Sequence, residues 1–206
     1  MIVFDVYYDY ICPYVYRGAE WMDKVERALE GQVQANWHYF SLHQVNHPEK
    51  DTWRVWEQPL VDEGWQERRY GPAVRCFWAA EAARRQGDGE FRRFHLALLR
   101  ARFEDDRDLA DPKTVMEAAR RAELDLARFE EDLADPTCLE RLAADHMTAV
   151  SEHNVFGTPT FVFPGAKPAY LKLTRVPTEA EALDFWEVFR STVVDRPYVL
   201  EIKRPH

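Results

Sequence analysis

Residues 2–16 read IVFDVYYDYICPYVY, and the junction Cys12-Pro13 inside this stretch decides the fold. Ile2 to Tyr8 is β-branched and aromatic, the composition of a buried strand. Pro13 suits the first turn of a helix, where its missing N–H costs nothing. Val15, Ala19, Met22, Val25 and Leu29 keep the three-to-four spacing of one buried stripe, so the helix is predicted to run to about Leu29, with Gly31 as its stop. Val33, Ala35, Trp37 and Tyr39 then alternate with Gln34, Asn36 and His38, the period of a second strand. A strand, a helix from a Cys-Pro start and a second strand make a βαβ opening.

Outward from there the pattern changes. Residues 40–59 are polar and tryptophan-rich, read as a loop with Pro48 and Pro59 as punctuation. From Gly64 to Asn154 only helical signals occur. Pro72 opens a helix through Arg85 that Gly87 stops, and Glu90 to Phe103 forms another. Asp111-Pro112 and Asp135-Pro136 each read as an N-cap followed by proline, with Asp125 capping a short helix between them. Strands return at Thr160–Phe163 and Tyr170–Leu173, an antiparallel pair around the turn PGAKPA. Thr178 with Glu181 is a capping-box pattern for a last helix to about Arg190, and YVLEI near the C-terminus reads as an extra strand. The expected class is α/β: residues 1–63 and 155–206 form a sheet domain, and 64–154 an all-helical insertion.

The 206 residues carry a net charge of −9. That balance argues against a nucleic-acid or anionic-membrane partner, which needs a basic footprint. No stretch approaches the ~18 apolar residues of a membrane span, and no signal-peptide pattern opens the chain. Three cysteines do not make a disulfide scaffold. A cytoplasmic setting, where thiols stay reduced, is the expectation.

Cys12 stands at a helix start, where unpaired N–H groups and the positive end of the helix dipole favour a thiolate nucleophile. The alternative is an inert buried cysteine. Three positions on, where a second cysteine would complete a redox pair, stands Val15. The second feature is VFGTPTFVF, residues 155–163, a turn at strand entry whose Thr158-Pro159 bond is either a cis-proline feature or an ordinary trans loop.

In this order and spacing, IVFDVYYDYICPYVY, the helical block and GTPTFVF resemble the DsbA-like branch of the thioredoxin superfamily. That branch takes in DsbA, FrnE-like oxidoreductases, kappa-class glutathione transferases and 2-hydroxychromene-2-carboxylate isomerases. The resemblance covers nearly the whole chain and implies a thioredoxin-like fold with an inserted helical subdomain. It implies that Cys12 is the attacking cysteine, with Thr158 and Pro159 against it and the Thr158 backbone pairing with a bound thiol or peptide. Pro13, Tyr14 and Asn46 are the residues expected to meet substrate. The redox branches usually carry Cys-X-X-Cys, so Val15 is a departure: a mixed disulfide at Cys12 has no partner thiol within the motif.

Cys76, between Arg75 and Phe77 in a helical run, reads as core; Cys138 is less defined. His43 and His47 have helical ligand spacing, but Pro48 spoils it, and no metal site is read. Trp53, Trp56 and Trp65 either wall a cleft between subdomains or pack the loop. The leading functional expectation is a thiol-disulfide oxidoreductase with one active-site cysteine. The alternative is an isomerase or transferase that activates a glutathione-like thiol toward a small electrophile; a binding module without turnover is the third reading. No tightly bound cofactor is expected; glutathione or another low-molecular-weight thiol would serve. The partner is a thiol or disulfide, small molecule or protein, and oligomeric state is left open, a homodimer included.

Overall fold

The computed structural model describes residues 1–58 and 71–204. Pro59, Gly64 and Trp65, and with them the expected boundary at 63/64, lie outside the described residues. The sheet has the order β2-β1-β3-β4, built from β1 (Ile2–Tyr8), β2 (Val33–Tyr39), β3 (Thr160–Val162) and β4 (Ala169–Tyr170). β1 and β2 are parallel, from Ile2 opposite Val33 to Tyr8 opposite Tyr39. The crossover between them is α1 (Pro13–Ala28), as parallel pairing requires. β3 runs antiparallel to β1, with Val6 opposite Phe161, and β4 antiparallel to β3. Between β2 and β3 the chain is helical: α2 (Leu42–Val45), α3 (Gly71–Arg84), α4 (Asp88–Phe103), α5 (Pro112–Arg121), α6 (Leu126–Asp132) and α7 (Glu140–Ser151). Helix α8 (Glu179–Asp195) closes the fold.

The alternation of β1 puts Phe4, Val6 and Tyr8 into the main core and Tyr7 into a smaller cluster with Phe40, Ala149, Val155 and Val162. Phe4 stacks on Phe163 at 4.6 Å and meets Trp186 of α8 at 5.3 Å. Trp21 of α1 donates its indole N–H to Ala182 O at 3.0 Å, tying α1 to α8. Glu20 and Arg100 make a two-pronged ion pair, 2.6 and 2.9 Å, between α1 and α4.

Local capping signals form as read. Asp111, Asp125 and Asp135 each accept from a backbone N–H of the following turn, and Thr178 with Glu181 builds the capping box of α8. Three expectations are corrected. The FSLHQVN loop contains α2, capped by Ser41. Helix α8 continues past Arg190 to Asp195, since no breaker intervenes before Pro197. YVLEI forms no strand: it follows Pro197, and Tyr198, Leu200 and Ile202 are each at least 77% exposed, without a strand edge to pair with.

β2 is an edge strand whose free backbone groups are taken by side chains. Glu26 accepts from Ala35 N at 2.7 Å, Arg84 donates to Trp37 O at 2.9 Å, and Asp145 accepts from Tyr39 N at 3.0 Å. These bonds close the edge against a further strand. His38 lies in the same row, with Nε2 3.2 Å from Asp5 and Nδ1 3.2 Å from Asp145. Burial pushes its pKa down, but the hydrogen bonds to Asp145 and Asp5 outweigh this and hold it up at about 9. Because the folded value exceeds the ordinary 6.5, the stabilisation is complete below about pH 6.5 and is lost as pH rises through about 9. His38→Gln is therefore expected to remove about 1–2 kcal/mol of the stability difference between pH 6 and pH 9.5, read by urea unfolding at the two values.

Candidate active site

Cys12 is the N-cap of α1, with φ −90° and ψ 116°, and Pro13 takes the first helical position. The Cys12 carbonyl accepts from Val15 N at 3.1 Å, so the turn that should carry a second thiol is formed and carries a valine with no exposed surface. Cys12 itself is 5% exposed. Its Sγ donates to Thr158 O at 3.2 Å, which joins the two motifs across 146 residues of chain. The Thr158–Pro159 peptide is cis. Pro159 O accepts from Leu171 N at 3.1 Å, fixing this loop to the segment after β4. Gly18 of α1 lies against the proline: a Cβ there would stand 3.2 Å from Pro159 Cγ, so a bare backbone permits the close approach. Thr158 Oγ1 is buried and has no hydrogen-bond partner.

The structure also names a residue that the sequence reading passed over. Asp9 ends the apolar β1 run and is fully buried. Its Oδ1 accepts from Ile11 N at 3.2 Å and its Oδ2 from Leu42 N at 2.7 Å, while its carbonyl accepts from Cys12 N at 3.1 Å. Asp9 thus holds the Cys12 turn and the start of α2 together. Burial raises its pKa to about 7, against the lowering effect of the N–H groups of Leu42 and Ile11. An acid three residues before the cysteine, at the end of an apolar strand, was the available signal.

Around Cys12 the surface is aromatic and cationic. Lys172 Nζ lies 5.1 Å from the Tyr14 ring centre and 5.3 Å from that of Tyr170. Arg17 approaches the Tyr14 ring at 5.5 Å. Phe156, 68% exposed, meets Tyr170 edge-on at 5.1 Å. Asn46 closes α2, its Nδ2 donating to Leu42 O at 2.8 Å. His47 stacks on Trp53 at 3.9 Å, and Trp56 packs toward His146.

The other thiols sit in different surroundings. Cys76 is wholly buried in α3, and burial together with the nearby Asp9 carboxyl pushes its pKa well up. Cys138 donates to Asp132 O at 3.5 Å, and burial pushes it up to about 11. All three cysteines are free. Among the described residues no helix is long and apolar enough to cross a membrane.

A family model described as DSBA-like thioredoxin domain matches residues 3–184. An uncharacterized protein of Mycobacterium tuberculosis, Rv2286c, is 25% identical over 211 residues, which span 100% of this chain and 83% of that one. Among solved structures, a 2-hydroxychromene-2-carboxylate isomerase superposes with TM-score 0.65 at 13% identity, covering 91% of this chain and 94% of that one. The cytosolic disulfide reductase DsbM of Pseudomonas aeruginosa superposes with TM-score 0.58 at 17% identity, covering 91% and 98%. At these identities the two structures share the fold with this chain and no more.

Proposed function

The chain belongs to the DSBA-like thioredoxin domain family, and on that premise we propose that it is a thiol-disulfide oxidoreductase working through Cys12 alone. Family members are oxidoreductases or isomerases, so the chemistry must be argued from the site. The observation that carries the reading is the formed Cys12–Val15 turn. Cys12 heads α1 with its sulfur on the Thr158 carbonyl, and Val15 fills the position of a resolving thiol. The thiolate attacks one sulfur of a disulfide; the S–S bond breaks, a Cys12 mixed disulfide forms, and the leaving thiolate departs and takes a proton from water. An external low-molecular-weight thiolate then attacks the substrate-derived sulfur of the mixed disulfide; the bond to Cys12 breaks, Cys12 leaves as a thiolate, and a new disulfide joining the external thiol to the substrate fragment departs. The Thr158 backbone pairs with the bound sulfur compound, Pro159 lies against it, and Pro13 and Tyr14 line its approach. Asn46, which caps the end of α2, is a further substrate contact. The segment 64–154, helical over most of its described residues from Gly71 to Ser151, acts as an inserted subdomain, and the setting is a reducing one.

The same missing thiol favours a second reading, in which the head of α1 holds and activates a glutathione-like thiol that attacks a small electrophile. Mass spectrometry after treatment with glutathione disulfide tests the first reading. The expected product carries one glutathione, on Cys12, and keeps it until an outside thiol is added. Spontaneous loss of the glutathione, with Cys12 joined to Cys76 or Cys138, would show a resolving cysteine and end the one-cysteine mechanism.

A further inference from the structure

Many cations in this acidic chain meet carboxylates, and others, Lys24 and Arg54 among them, donate to backbone carbonyls. Arg85 meets Asp132 and Asp135, Arg92 meets Glu26, Arg100 meets Glu20, and Arg121 meets Asp105. Two of the cations without an ion pair stand near Cys12. Arg17 donates to a backbone carbonyl, Leu173 O at 2.9 Å, and lies over Tyr14. Lys172 lies between the rings of Tyr14 and Tyr170. Among the described residues neither makes an ion pair, although the chain carries a net charge of −9. The acids on neighbouring turns are engaged elsewhere, Glu20 with Arg100 and Glu104 as acceptor from the Tyr16 hydroxyl at 2.7 Å. Two unneutralised cations therefore converge on one ring, two residues from the nucleophile. The hydrogen bond with the Tyr170 hydroxyl is the main effect that raises the Lys172 pKa.

We propose that Arg17 and Lys172 are specificity residues that select a low-molecular-weight thiol or disulfide bearing a carboxylate or phosphate close to its sulfur. The selection rests on the reading of Cys12 as nucleophile. Tyr14, Tyr170 and the exposed Phe156 supply an apolar wall for the organic part, and the two cations hold the anionic group while Cys12 attacks. Both cations are near the surface, so the attraction is screened by salt.

Three small disulfides of similar size test this: dithiodiglycolate (anionic), bis(2-hydroxyethyl) disulfide (neutral) and cystamine (cationic). The rate of adduct formation on Cys12 is measured by mass spectrometry, each rate divided by that of the same disulfide with a free small thiol. The intact chain is expected to prefer the anion over the neutral probe, and the neutral probe over the cation. Lys172→Gln should lower the anionic-to-neutral ratio about fivefold, the scale of one screened charge pair, and Arg17→Gln should lower it in the same direction. Lys172→Arg should restore the ratio, and about 0.5 M salt should erase the preference. An equal fall with all three probes, or an unchanged ratio, overturns the selection and leaves Cys12 as nucleophile. No adduct on Cys12 with any probe overturns the nucleophile reading and the selection with it.

Discussion

Cys12→Ser is expected to lower disulfide turnover by at least about three orders of magnitude while leaving the fold intact. The substitution keeps size and hydrogen-bonding geometry. A serine hydroxyl can donate to Thr158 O as the thiol does at 3.2 Å, and Pro13 still opens α1. What is lost is the thiolate, the species that attacks and that forms the S–S bond. Glutathione-dependent reduction of bis(2-hydroxyethyl) disulfide, at equal concentrations of protein with matched circular dichroism, measures the loss. Cys76 and Cys138 do not compensate, because burial raises both thiols. The measurement also separates the two readings of the site. A catalyst that only holds an external thiol at the helix head keeps most of its activity with serine in place, since the N–H groups and the helix dipole remain. A tenth or more of the activity surviving would refute Cys12 as nucleophile.

The second large effect is a gain. Val15→Cys is expected to give an internal disulfide and to shorten the life of the Cys12 mixed disulfide about a hundredfold or more at millimolar external thiol. Val15 is three positions along α1 from Cys12, and its N–H already donates to the Cys12 carbonyl at 3.1 Å. Residues at that spacing share a side of the helix, so the introduced thiol is held where the resolving step needs it. The cost is small: replacing a buried valine by the smaller cysteine loses about 1 kcal/mol of core stability. After glutathione disulfide treatment, mass spectrometry should find two thiols fewer than in the reduced variant and no glutathione attached. A stable glutathione adduct beside a titratable free thiol would mean that the buried position cannot reach the first sulfur.

The sequence alone determined what depends on neighbours in the chain. The strand-to-helix junction at Cys12-Pro13, the caps at Asp111, Asp125, Asp135 and Thr178, and the alternating strand Val33–Tyr39 all form as local signals direct. A cap is one side chain meeting an N–H two or three residues on, and alternation is the period of an extended chain, so both are written in a few consecutive residues. The order of these pieces was enough for the family. What only the tertiary structure decided involves residues far apart in sequence. YVLEI has strand composition but no partner edge, so it stays unpaired. Asp9 looks like an ordinary acid until Leu42, 33 residues on, donates to it. Lys172 meets the Tyr14 ring, 158 residues away, only because β3, β4 and the bond from Leu171 N to Pro159 O bring its segment there. Pairing, burial and charge proximity are set by which elements pack together, and that is a property of the folded chain as a whole rather than of any window along it.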